Sequence, residues 1–437
     1  MTPRERLLAA VEHQEPDRVA IDLGSTPSSG ISAIAYSNLK KAIGISSGHT
    51  RVYDVVQQLA QPETVILDHF GVDIVDIGRA FNTADTDWYD ITLSNGNPAQ
   101  YPAWFKPHRE ADGSWTAFAP DGTPIAKMPA KGAFYDQSCF PYLDGYPDHY
   151  SDLPERMRKV VWAALVHSPW DQAARPDFWD QLRKKTLALR QSTDRALMIV
   201  CGCNLFEWGT FLRRIDNFLM DVYADPVHVE ALLDALMEIH LATLDKVCRA
   251  VGDGVDILRF GDDLGMDSGP FMSPEVYRKL FKPRHAQLCD FVKKHSRMKT
   301  FLHCCGSIYA LLPDLIEAGY DIINPVQTNC AGMDPVRLKK EFGGDITFWG
   351  GGCDTRTILN CATPQHIKDH VKERLEIFAP GGGFVFNPIH NILPEVPPEN
   401  IIAMFDAVHA FSGSGFRITS VEYNRSEKRQ CLGQRMP

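Results

Sequence analysis

The chain has no apolar run approaching the length of a membrane span. Its start, Met1-Thr-Pro-Arg-Glu-Arg-Leu-Leu-Ala-Ala-Val11, reads as an amphipathic helix without an apolar signal core. A membrane protein or a secreted one is therefore not expected. No basic block stands out and the formal net charge is −10, which argues against a nucleic-acid partner. Eleven cysteines are scattered without a framework pattern, so disulfide stapling is not expected and a reducing cytoplasm fits best. Also missing are a His-Glu-x-x-His pair and a Gly-x-x-x-x-Gly-Lys-Ser/Thr loop. The zincin and P-loop chemistries that those motifs carry are set aside.

What remains is ordinary globular material, 44% hydrophobic and 23% charged over 437 residues, enough to bury a sizeable core. Short apolar runs start near 18, 73, 196, 255, 298, 321, 345 and 383, and most are followed by a helical pattern. Eight nearly continuous apolar strands alternating with helices indicate a parallel sheet covered on both sides. No Gly-x-Gly-x-x-Gly fingerprint follows the first strand, so a closed α/β (β/α)₈ TIM barrel is expected over a doubly wound sheet. Residues 31–44 and 50–58 are read as helical. The segment from about 82 to 170, rich in Trp, Tyr, Pro and Gly, is read as a β-hairpin and loop insertion after strand two, with a turn at Asp121-Gly122. One barrel domain over 1–411 and a polar tail over 412–437 complete the expectation.

Chemistry in such a barrel sits where strands end. Those ends carry Asp22; Asp76; Cys201, Cys203 and Glu207; Asp262 and Asp263; His303 and Cys305; Asn324 and Gln327; Cys353 and Asp354; and Asn387, His390 and Asn391. Alternation along a strand points His303 and Cys305 the same way, as two ligands of a zinc site would be. The competing reading is a hydrogen-bonded core histidine beside two small buried thiols. A third ligand is required. Cys353, behind Gly350-Gly351-Gly352, is preferred to Cys201, Cys203 or His390.

Several motifs then come together: Thr2-Pro-Arg-Glu-Arg6, Pro16-Asp-Arg-Val19, Gly261-Asp-Asp-Leu-Gly265, Ser273-Pro-Glu-x-Tyr277 and Phe281-Lys-Pro-Arg-His285. With them stand His303-Cys-Cys-Gly-Ser307, Asn324-Pro-Val-Gln327, Phe348-Trp-Gly-Gly-Gly-Cys-Asp354 and Pro388-x-His-Asn391. Over residues 1 to about 411 the chain resembles the uroporphyrinogen decarboxylase superfamily, and within it the corrinoid-linked methyltransferase branch. That resemblance implies a (β/α)₈ barrel and a zinc ion on His303, Cys305 and a later cysteine. The family's glycine turn before strand eight carries that cysteine in well-known members, and here it has Gly382, so Cys353 is the expected substitute. The family's decarboxylases grip acidic side chains with arginines near the first strand, whereas this strand ends Ile21-Asp22-Leu23-Gly24.

The expected activity is transfer of a methyl group from a methoxylated donor, methoxylated aromatics among the candidates, to the cob(I)alamin of a separate corrinoid protein. The zinc would act as Lewis acid on the leaving oxygen. Asp262, Asp263 or Glu207 would supply the proton or complete the zinc shell. Asp22, Asn324, Gln327, Asp354, Asn387, His390 and Asn391 are the expected substrate- or corrinoid-binding groups. The alternatives are a methylcobamide:thiol methyltransferase, a metal-free lyase, and a corrinoid or metal carrier without activity. A homodimer is possible on this reading.

Overall fold

The computed structural model describes residues 1–413. Eight parallel strands form one sheet: β1 (Ala20–Ile21), β2 (Ile74–Asp76), β3 (Ala196–Gly202), β4 (Ile257–Gly261), β5 (Lys299–His303), β6 (Ile322–Asn324), β7 (Thr347–Trp349) and β8 (Phe384–Phe386). Their order around the sheet is β1-β8-β7-β6-β5-β4-β3-β2. Every pair in it is parallel. The seam between β1 and β2 is drawn together by Asp73. Its backbone N–H donates to the Ile21 carbonyl at 2.8 Å, and its carboxylate accepts the Ile21 N–H at 2.8 Å. This is the (β/α)₈ barrel expected from the run of apolar segments.

The alternation of side chains divides each strand between two cores. Outward residues such as Leu258, Phe260, Leu302 and Phe348 join the large core beneath the helices. Inward residues form a second, smaller core of Ala20, Ile74, Met198, Ile257, Phe301, Ile322, Trp349 and Val385. Helix Pro3–Val11 plugs its lower end with Leu7, Ala10 and Val11. Two residues further along the same inward faces the sequence turns polar: Asp22, Asp76, Arg259, His303, Asn324 and Asn387. The barrel is thus packed below and functional above.

Charged residues from the opening motifs secure the lower rim. Arg6 and Arg18 pair with buried Asp73 at 2.7 and 2.8 Å, and Arg4 and Arg190 pair with buried Asp256 at 2.8 and 2.7 Å. Asp256 also accepts the Leu197 N–H, so each carboxylate satisfies arginines and a neighbouring strand at once.

The insertion is built as expected in kind. Trp88–Thr92 pairs with Pro98–Pro102 as a hairpin, and a four-stranded antiparallel sheet includes Trp115–Phe118 and Pro124–Met128 on either side of Asp121-Gly122. Gly122 has φ +85°, the left-handed conformation that such a turn requires. The segment 50–58 departs from its helical reading. Val52–Asp54 is a strand, and the Asp54 carboxylate takes the backbone N–H groups of Val56 and Gln57. An Asp that captures local amides in this way makes a turn out of an apolar run. The tail assigned to 412–437 lies outside the described residues from 414 onward, and 412–413 end helix Pro398–Gly413.

Candidate metal centre

His303 closes β5, and Cys305 follows in a loop that the Asp263 carboxylate holds by accepting the Cys305 N–H at 2.8 Å. The Cys305 Sγ lies 3.4 Å from the His303 Nε2. The third group beside them is His390, from the loop after β8. One ligand atom from each of His303, Cys305 and His390 lies within 4.8 Å of the others. The expectation from sequence puts Cys353 here, with His390 a less favoured alternative and otherwise a substrate contact. Cys353 is fully buried in the core instead, and its carbonyl accepts the Ile389 N–H at 2.8 Å. It therefore fixes the loop that carries His390. The glycines before Cys353 serve backbone packing: a Cβ on Gly350, at φ +120°, would stand 2.1 Å from the Pro325 carbonyl oxygen.

Asn324, at the end of β6, orients His303. Its Nδ2 donates to the Trp349 carbonyl at 2.8 Å, which leaves Oδ1 to accept from His303 Nδ1 at 2.7 Å and from the Ser28 hydroxyl at 2.8 Å. His303 therefore carries its proton on Nδ1 and presents the Nε2 lone pair toward Cys305. A neutral, oriented imidazole with a second imidazole and a thiol beside it is a donor set suited to zinc. Burial, then Arg259 and His390, hold the His303 pKa well below its usual value. Burial, then Asp263, push the Cys305 thiol well up. A divalent cation bound between them would invert that preference for the neutral thiol.

Glu207 and Asp263 are the carboxylates beside the cluster. Burial and then the Asp263 charge push Glu207 well above the carboxylate range, and burial raises Asp263. Asp263 Oδ1 is 3.7 Å from His303 Nε2. Asp262 faces elsewhere. Its oxygens accept the N–H groups of Phe206 and Glu207 at 3.0 and 2.9 Å, and His285 Nε2 is 3.0 Å from Oδ2. Tyr277 supports His285 from behind at 3.1 Å. The Ser-Pro-Glu-x-Tyr and Phe-Lys-Pro-Arg-His motifs thus brace Asp262, which caps helix Phe206–Arg213 and so sets the position of Glu207.

The remaining expected residues are mostly structural in their contacts. Asp22 is fully buried, accepts from Ser25 and from Trp349 Nε1, and is pushed up to about 6 by burial. Asp354 takes the N–H groups of Arg356 and Thr357. Gln327 accepts the Gly306 N–H, and Asn391 donates to Gln57 at 3.1 Å. Asn387 donates to the Pro388 carbonyl, and its Oδ1 is buried without a partner. Cys201 and Cys203 are free, like every cysteine among the described residues.

Two groups at the mouth were not singled out from sequence. Arg259 is on the inward face of β4, and the charges of Glu207, Asp263, Cys305 and Tyr53 act on it. The Ile257-Arg259-Gly261 alternation was the signal that could have found it. Tyr53 was hidden by the helical reading of 50–58. It lines, with Asp76, a cavity walled on the outside by Trp88 and Trp104 of the insertion. Other aromatics of the insertion, Tyr101 and Phe105 among them, are buried in its own core.

Comparison with known proteins gives a family match over part of the chain and a fold. Residues 206–411 match the uroporphyrinogen decarboxylase (URO-D) family. A uroporphyrinogen decarboxylase of Legionella pneumophila (strain Lens) is 34% identical over 211 residues, 48% of this chain and 56% of that protein. One from Geobacter metallireducens is 27% identical over 220 residues, 50% of this chain and 57% of that protein. The chain thus spans little more than half the length of these curated relatives. A methyltransferase from Methanosarcina mazei superposes with a TM-score of 0.55 at 18% identity, over 94% of this chain and 99% of that one, and shares the fold. Among the described residues no helix is long and apolar enough to cross a membrane.

Proposed function

We propose that this chain, whose residues 206–411 match the uroporphyrinogen decarboxylase family, is a zinc-dependent methyltransferase of the superfamily's corrinoid-linked branch. It would move a methyl group from a methoxylated donor to the cob(I)alamin of a separate corrinoid protein. The observation that carries this reading is the cluster of His303, Cys305 and His390, with Asn324 fixing the histidine tautomer, at the active end of the barrel. His303, Cys305 and His390 would hold the ion and leave a fourth position open, as catalytic zinc sites do. Zinc bound there would supply a Lewis acid for the ether oxygen.

The chain's own residues account for the rest. Glu207, with its carboxyl proton held by burial and by Asp263, is a proton source for the departing oxygen. Asp263 fixes the Cys305 backbone. The balance would then be complete: cob(I)alamin of the partner would supply the electron pair that accepts the methyl group, the ether oxygen would keep the bonding pair, and Glu207 would donate its proton to that oxygen. Decarboxylation by the family's arginine-gripped route has less support, because β1 leads into Asp22, held by Ser25 and Trp349, with no arginine there. The shared fold with a protein described as a methyltransferase is in keeping with transfer.

The test is a donor screen. The purified chain is mixed with chemically reduced cobalamin and a series of methoxylated arenes, and methylcobalamin is followed spectrally. Formation that depends on the chain and stops with chelator supports the reading. No transfer from any donor, together with chelator-insensitive release of carbon dioxide from a porphyrinogen, would overturn it in favour of a lyase.

A further inference from the structure

The aromatic insertion encloses a cavity of about 650 Å³ that shares no residue with the metal centre. It lies between the hairpin of Trp88–Thr92 and Pro98–Pro102, the antiparallel sheet beside it, and the start of helix Ala33–Ala42. Alternation puts Tyr89 and Ile91 on one face of the hairpin, and Tyr101 stands opposite Tyr89 in the register. Trp115, from the neighbouring sheet, lines the same space. Tyr89, Ile91 and Trp115 are only half-buried, so the apolar wall they make is not closed by packing. A mostly apolar hollow of this size with a few polar groups is what a small-molecule site requires, roughly 300–1,000 Å³.

Its charges have one sign. Arg109 and Lys131 line the cavity, and among the described residues no Asp, Glu, His or Cys does. The nearby carboxylates Asp112 and Asp121 are taken by other cations, Lys127 at 3.6 Å and Lys159 at 3.0 Å. Arg109 Cζ stands 5.7 Å from the Trp115 ring centroid, and Lys106 Nζ stands 3.5 Å from that of Tyr89, so positive charge lies against the aromatic wall itself. The first residues of helix Ala33–Ala42 add the positive end of its dipole to the same space. With no general base and no metal ligand in its lining, the cavity can bind a molecule but has no means to transform it. The aromatic wall suits flat rings, and the cations suit a negative group on them.

We propose that this cavity is an accessory binding site for a polycyclic aromatic anion, about two or three flat rings carrying one negative group. The rings lie against Tyr89, Tyr101 and Trp115, and the negative group meets Arg109 and Lys131. The occupant is not the molecule transformed at the metal centre, since His303, Cys305 and His390 are absent from the lining. It does touch Pro394, on the segment after β8 that also carries His390. The occupant therefore ties the insertion to that segment. The site stands on its own geometry and does not depend on the methyl-transfer reading.

The test is fluorescence titration of the full chain with two probes, anilinonaphthalene sulfonate and phenylnaphthylamine, which has the same rings without the charge. The sulfonate should fill a single saturable site and bind about fivefold more tightly than the neutral probe, the upper end for an exposed ion pair. Added salt should shrink that preference. The double variant Arg109→Gln, Lys131→Gln should abolish it, and both positions are exposed, so the fold is kept. Ile91→Trp pushes a larger ring into the cavity and should weaken both probes by about tenfold or more. Equal binding of the two probes, a preference that survives the double variant, or full affinity in folded Ile91→Trp would overturn the proposal. Probe binding needs neither corrinoid nor methyl transfer, so its failure and that of the donor screen are told apart.

Discussion

Asn324 decides which nitrogen of His303 is free, because its amide is itself fixed from behind by the Trp349 carbonyl. In Asn324→Ala the His303 ring loses the acceptor for its Nδ1 proton, and the lone pair no longer has a set direction. Partners of this kind typically account for 10- to 100-fold in metal affinity. Asn324→Ala should therefore weaken zinc binding by about that factor, measured by competition with a chromophoric chelator. Equal affinity in the variant would mean that the ligands alone set the geometry. The same residue shows what the sequence displayed and what it withheld. Asn324 was visible as a polar group at a strand end. Its task was not, since it depends on Ser28 from the turn after β1 and Trp349 from β7.

Among the elements, helix Pro226–Val251 is tied to the site by one histidine. His240 is buried, its Nε2 lies 2.9 Å from the Asn204 carbonyl, and burial lowers its pKa to about 4. Asn204 in turn donates to Glu207. The unfolded chain takes up this proton near the usual value of 6.5 and the folded chain does so only near 4. The stabilisation is thus complete above about pH 6.5 and is lost as the pH falls toward 4. Over that interval the loss is about 3 kcal/mol, at roughly 1.4 kcal/mol per unit. His240→Gln, which can still donate to Asn204 but does not titrate, should lose about that much less between neutral pH and pH 4 in urea unfolding. Parallel pH profiles for the two proteins would contradict this account of the helix.

For the molecule as a whole, the barrel was legible because its signal is local. Each strand is a short apolar run, and inward polar residues follow two positions later, as in Phe301 and His303 or Ile322 and Asn324. His390 is weighed from sequence as a third ligand but not preferred, because its place beside His303 and Cys305 depends on how loops from distant strands fold over the mouth. The loop after β8 is held by the Cys353 carbonyl through Ile389 N–H, and by Gly30 and Ser32 through Ile392. These backbone contacts bring in His390, and no spacing in the sequence announces them. Arg259 could have been found by the alternation that placed His303, since Ile257 below it faces the barrel core.

The cluster of His303, Cys305 and His390 is a product of barrel closure, joining β5 to a loop after β8. Its direct test is zinc content per folded chain in the wild type and in His303→Ala, Cys305→Ala, His390→Ala and Cys353→Ala. The account predicts about one zinc per chain in the wild type and in Cys353→Ala, with loss in the other three. Zinc retained in His390→Ala and lost in folded Cys353→Ala would contradict it.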